Sequence, residues 1–290
     1  MPELPDVVVY CEALASRVVG ERLLGVRIRN PFVLRTADPP IATAEGQDVL
    51  DVRRQGKRIV LALANDLFVV IHLMIAGRLR WLDAGQSGPA RITLALLDFA
   101  SGTLAMTEAG TKRRASIHLV RGADALAALD ANGLEIEDSS VEAFAARLRA
   151  ENHTLKRALT DPHILSGVGN AYSDEILHRA HLSPIAHTRR LDDDAIARLH
   201  AAARDVLREW TERLRAETGE SFPEKMTAFR PGMAVHGRFR KPCPVCGTPV
   251  QRIVYAENEC NYCPRCQTNG VILADRALSR LLHKSFVREI

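Results

Sequence analysis

No stretch of this 290-residue chain approaches the roughly 20 consecutive apolar side chains that a membrane-spanning helix needs, so it is not expected to cross a bilayer. The opening also lacks the character of a secretory or organellar presequence, because Glu3, Asp6 and Glu12 fall within it, and a cytoplasmic protein is expected. Nor is there a large excess of one charge: the formal net charge is only +4. What is present is apolar content, 47% of residues, enough at this length to bury a sizeable core and to favour two domains over one.

The small net charge is unevenly placed. Residues 235–290 hold nine basic side chains against four acidic ones, a local +5 that leaves the rest of the chain near −1. A basic terminal module on a near-neutral body suits a polyanionic partner, although a solvated basic face has the same composition.

After PELPDV, residues 7–19 read as a helix with Asp6 as its cap. From Leu23 to about Val120, eight short runs (LLGVRI, DVLDVRR, KRIVLAL, LFVVIHL, GRLRWL, ITLALLDF, GTLAM, ASIHLV) alternate with turn residues, the spacing of a β-sandwich or barrel. NGLEIEDSS marks a domain boundary. Helical patterns follow at 141–150, 153–159, 170–180 and 192–216, the last with Ile196, Leu199, Val206, Trp210 and Leu214 at core spacing. GESFPEKMTAFRPGM reads as a loop, and ADRALSRLLHKSFVREI as one more amphipathic helix. The expected domains are 1–132, 141–220, 235–270 and a C-terminal helical extension at 271–290.

Five of the six cysteines lie close together, and Cys243-x2-Cys246-x16-Cys263-x2-Cys266 has the spacing of a zinc site. Four sulfur ligands leave no position for water, so the expected Zn2+ is structural and stabilises a segment too small to fold by burial alone. Cys260 reads as a free thiol. In LKRALTDPHILSGVGNAYSDEIL, the turn Ser166-Gly-Val-Gly-Asn170 opens a helix; glycines and free helix-start amides suit a phosphate, and a plain capping turn with Asn170 as cap has the same look.

PELPDV, the LKRALTDPHILSGVGNAYSDEIL segment and the CPVCG…CPRCQ finger, in that order from Pro2 to Gln267, resemble the formamidopyrimidine-DNA glycosylase and endonuclease VIII family. The resemblance implies an α+β chain: an N-terminal β-sandwich, a helical domain with a helix, two-turn, helix element, and a zinc finger, with damaged DNA bound between domains by a monomer. It implies that Pro2, once Met1 is removed, is a nucleophilic amine, with an unperturbed pKa of about 7.7 to 8.0. Glu3 would be the general acid and base. Lys57 would contact phosphate and assist elimination, Lys156 and Asn170 would contact phosphates flanking the lesion, and His72 would touch DNA. The expected activity is excision of a damaged base followed by strand cleavage; the alternative is a lesion- or abasic-site-binding protein of the same fold without excision.

The chain departs from the family in four places. TEAGTKRRAS replaces the RRF-type loop that fills the gap left by a flipped nucleotide, keeping Arg113 and Arg114 as DNA-binding candidates but placing Ala115 at the phenylalanine. HLMIAG replaces an HLGMSG-like segment, with Ile75 at its methionine, and PARITL lacks a usual histidine. The finger tip reads ENEC, so Asn258 stands at a phosphate-binding arginine, able to hydrogen-bond but without charge. These changes point away from duplex 8-oxoguanine and efficient δ-elimination, towards an oxidised pyrimidine, a ring-opened purine, a bulky alkylated base or damage in single-stranded DNA.

Overall fold

The computed structural model describes residues 1–110, 112–224, 226–255, 258–273 and 288–289. It opens on α1 (Leu4–Val18), which begins earlier than a cap at Asp6 would allow. Glu3 is the N-cap, and its backbone N–H donates to Asp6 Oδ2 at 2.8 Å, so Asp6 is the third helical residue and one half of a capping box. Pro5 is accommodated because first-turn amides have no helical acceptor.

All eight β-branched runs form strands: β1 (Gly25–Ile28), β2 (Val49–Gln55), β3 (Arg58–Leu63), β4 (Leu67–His72), β5 (Gly77–Leu82), β6 (Thr93–Asp98), β7 (Thr103–Glu108) and β8 (Ser116–Arg121). They make two antiparallel four-stranded sheets, ordered β1-β6-β7-β5 and β2-β3-β4-β8. Of the sandwich and barrel alternatives, the sandwich is what forms. Strand alternation sends Ile59, Leu61, Leu63, Val69 and Ile71 of one sheet into a common core with Leu97, Leu104 and Met106 of the other, joined by Tyr10 and Leu14 of α1. Each such side chain contributes about 1.5–3 kcal/mol by leaving water. The opposite face of β3, β4 and β8 carries Val60, Phe68, Val70 and Val120, covered by Leu126 of the short helix α2 (Ala123–Ala127).

Two compact units result, and they are not colinear with the sequence: Met1–Ala131 with Trp210–Thr227, and Asn132–Glu209 with Ala228–Ile290. The second unit holds α3 (Val141–Ala150), α4 (Leu155–Thr160) and α5 (Asn170–Arg179). The long α6 (Asp193–Thr218) begins there and ends in the first unit. Asp192 Oδ1 accepts from Ala195 N at 2.7 Å at the start of α6, and the five apolar residues expected along it are all buried. Then come β9 (Gln251–Tyr255), β10 (Asn258–Tyr262), α7 (Pro264–Thr268), β11 (Val271–Ile272) and β12 (Arg288–Glu289).

Two further sequence expectations change. The segment after α6 is more than a loop, since Phe222 and Met226 pack on the first unit's core and Phe222 lies 5.9 Å from Tyr10 and 6.2 Å from Trp81. Most of the expected C-terminal helix, 274–287, lies outside the described residues, and Arg288–Glu289 pair with Val271–Ile272 as strands instead of ending it.

Candidate functional site

In the first unit, the chain end is built into the fold rather than trailing from it. Pro2 and Glu3 are buried, Glu3 to 2% exposure. The terminal amine, carried here by Met1, is pushed below the usual amine range by burial; Glu3 and Asp6 oppose the shift, while Arg78 and Lys57 add to it. A lowered amine pKa means a larger neutral, nucleophilic fraction at neutral pH.

Lys57 is delivered by a two-residue hairpin turn between β2 and β3, closed by the Gln55–Arg58 pair. Gly56 takes φ +60° there, a conformation side-chain-bearing residues rarely adopt. Arg78 is a residue that sequence reasoning misses; its only trace there is a basic position in the GRLRW strand. It donates to the carbonyls of Gly77 and Met226 at 2.6 and 2.5 Å. A Cβ on Gly77 would collide with the Leu73 carbonyl oxygen, so only glycine fits at that bend.

His72 ends β4, paired across the sheet with Arg58 and Ser116. Burial first, then Arg58, Lys57 and His118, lower its pKa to about 4, so the imidazole is neutral at physiological pH. At the end of β7, the buried Glu108 carboxylate accepts from the backbone amides of Arg114 (3.0 and 3.1 Å) and Ala115 (3.1 Å). Glu108 thus fixes the turn that displays the exposed side chains of Arg113 and Arg114. Ala115 faces the core at 3% exposure, whereas Ile75 is 56% exposed.

In the second unit, Gly169 rather than Asn170 caps α5, and the Asn170 side-chain amide donates to the Glu259 carbonyl of β10 at 3.0 Å. Lys156, expected at a phosphate, is placed differently. It is 5% exposed, and its ammonium donates to Asn170 O (2.7 Å), Ser173 Oγ (2.7 Å) and Asp174 Oδ1 (2.6 Å). The fully buried Asp174 also receives His236 Nδ1 at 2.8 Å and the Asn261 amide at 3.1 Å. Burial opposes the charge on Asp174, but Lys156 and His236 outweigh it and hold the carboxyl below its ordinary range. Next to it, Glu175 accepts from the backbone amides of Ala234, Val235 and His236 at 2.7–2.9 Å, anchoring the segment that leads into the finger. Neither carboxylate stands out in the sequence. Asn258 opens β10; its side chain lies outside the described residues.

The sulfurs of Cys243, Cys246, Cys263 and Cys266 all lie within 4.8 Å of one another, with Cys243–Cys266 at 4.0 Å and Cys246–Cys263 at 3.4 Å. Four thiolates at zinc–sulfur distances of about 2.3 Å stand about 3.8 Å apart, so the cluster fits a tetrahedral Zn2+. Cys263 caps α7 and Gly247 takes φ +75°, so each Cys-x2-Cys turn brings its two sulfurs to one side. Cys260 is buried outside the cluster. The metal is structural.

A β-sandwich with a buried chain end, a helix pair opened by a glycine turn and a four-cysteine finger together define a base-excision DNA glycosylase. Family models agree in order along the chain: the formamidopyrimidine-DNA glycosylase N-terminal domain at residues 1–115, its H2TH domain at 129–220, and a zinc finger found in FPG and IleRS at 240–269. The chain belongs to the formamidopyrimidine-DNA glycosylase family. It is 34% identical over 280 residues to the formamidopyrimidine-DNA glycosylase of Thermus thermophilus, covering 93% of this chain and 100% of that protein. The solved MutM (Fpg) structure from Thermus thermophilus superposes with a TM-score of 0.76 at 31% identity, over 92% of this chain and 98% of that one. The Lactococcus lactis Fpg, solved with DNA containing an abasic site, superposes with a TM-score of 0.82 at 23% identity, over 92% and 99%.

Proposed function

We propose that the chain, once Met1 is removed, uses the Pro2 amine both to excise a damaged base and to cut the strand beside it. The observation that carries this reading is the buried chain end, where Pro2 adjoins Glu3, and Lys57 and Arg78 act on the terminal amine that Met1 carries there. The amine lone pair bonds to C1′ as the glycosidic bond breaks, its electrons leaving with the base, which takes up a proton. Glu3 protonates O4′ as the sugar opens, and the amine's proton is lost to give an iminium. The iminium acidifies C2′, whose proton leaves as the 3′ phosphate is expelled; water then hydrolyses the iminium and restores the amine. Lys57 stabilises the departing phosphate.

DNA is held by His72, Arg113, Arg114, Asn170 and Asn258. Lys156 acts through its neighbour, as a positioning residue that fixes the Asn170 carbonyl and the start of α5. With Ala115 in the core and Ile75 the exposed apolar side chain of its segment, little volume is available to replace a flipped nucleotide, which favours lesions that need less void filling.

Borohydride reduction of the protein with abasic-site DNA should trap a covalent adduct, and Pro2→Gly or a blocked N-terminus should abolish it. Undiminished trapping in those variants would remove Pro2 from the mechanism. Binding without trapping or nicking by the intact protein would favour the lesion-binding alternative. A lesion panel tests the preference: equal excision of 8-oxoguanine opposite cytosine and of oxidised pyrimidines would contradict it.

A further inference from the structure

The sheet β2-β3-β4-β8 has an outer face that changes character along its length. At one end Val60, Phe68, Val70 and Val120 are covered by α2. Antiparallel partners share a face, as do residues two apart in one strand. Arg58 therefore projects on the side of Val60, His72 on that of Val70, and His118 on that of Val120.

The loop after β1 extends this row. Leu34 bridges Ile117 in parallel, and Arg35 N donates to Ile117 O at 2.9 Å. Leu34 and Ile117 both pack towards the core, so Arg35 faces outward beside His118. The result is a row of Arg35, His118, His72 and Arg58 across the open end of the sheet, next to the Lys57 turn.

The row is not neutralised from within. Arg58 donates to the Leu129 carbonyl, and Asp130 is the carboxylate that acts on it from a distance. Among the described residues, neither Arg58, Arg35 nor His118 makes an ion pair. Arg58 and Arg35 instead oppose protonation of His118, and Arg58 that of His72. Gathering like charges in a near-neutral body costs stability unless an anion meets them.

We infer that Arg35, Arg58 and His118 form a second backbone-phosphate site of the catalytic unit, continuing the track of Lys57 and His72 along the bound DNA. The assignment rests on the proposed DNA-repair reading for its ligand. Guanidinium groups are apt here because they stay charged while partly buried and offer forked donors to phosphate oxygens.

The test is the salt dependence of binding to a short duplex carrying a stable abasic-site analogue, followed by fluorescence anisotropy. Removing one cation from a phosphate lowers the magnitude of the slope of log K against log salt by about 0.9. Arg58→Ala and Arg35→Ala should each lower it by that amount, and Arg58→Lys should restore it. Arg35 is exposed, so its variant reports even if Arg58→Ala does not fold. Wild-type slopes in both alanine variants would overturn the site. Borohydride trapping by the wild-type protein is scored separately: a reduced slope without any trapping would keep the phosphate site and discard the lyase chemistry.

Discussion

Met74 holds φ +52° at the position where an HLGMSG-like segment has glycine. A left-handed backbone costs a side-chain-bearing residue about 1–2 kcal/mol, of which the greater unfolded-state freedom of glycine takes back about half. Met74→Gly should therefore raise unfolding free energy in denaturant by about 0.5–1 kcal/mol, while Met74→Ala should give no gain. His72 has a second measurable consequence. Its folded pKa is about 4, whereas an unfolded histidine titrates near 6.5, so the unfolded chain binds more protons between those values. Stability then falls as pH drops from about 6.5 towards 4 and is unaffected by this group above that window. His72→Gln should flatten the curve there, as measured by unfolding at a series of pH values. At this scale the sequence is least readable. Lys156 pairs with Asp174, a helix residue with nothing local to mark it, so a lysine that the sequence offers to a phosphate lies in a buried ion pair.

The elements are more legible, for reasons of length and period. Six of the eight strands β1 to β8 alternate or run apolar for four or more residues, which suffices to announce a strand, while β7 has a run of three and β2 is irregular, with a register shift between Val49 and Asp51. In contrast, α2 spans only five residues, too short for helical periodicity to emerge. The cap of α1 is easily misplaced because Glu3 and Asp6 are both carboxylates, and only geometry separates the N-cap from the third helical position. The finger is legible from spacing alone, and its energetics follow from how small its core is: Val235 and Val250 pack with Cys243 and Cys263, and Ile253 and Tyr262 are buried in its hairpin. Its fold must draw on the metal. One zinc per chain is expected by atomic emission. Cys246→Ser and Cys266→Ser should lose zinc and DNA affinity together, whereas Cys260→Ser should retain both; retained zinc in the first two would show that the ligand set is wrong.

For the molecule as a whole, order along the chain and order in space part company at Trp210–Thr227, which belongs to the first unit although it interrupts the sequence of the second. No local pattern in the sequence could reveal this, because it is a property of packing at long range. A fragment of residues 1–131 lacks Leu214, Phe222 and Met226, and leaves Arg78 without the Met226 carbonyl. Such a fragment should fail to show a cooperative thermal transition, and supplying a fragment that spans α6 through Thr227 should restore one. During synthesis the same arrangement acts as a clock. Pro2 and Glu3 belong to a unit whose core includes Met226, made more than 200 residues after them. At about 5–20 residues per second, that leaves the chain end open for on the order of ten seconds or more. Once the unit closes, Pro2 is buried, so the proposed chemistry assigns methionine removal to this interval: the fold that encloses the amine is the one that waits for it to be made.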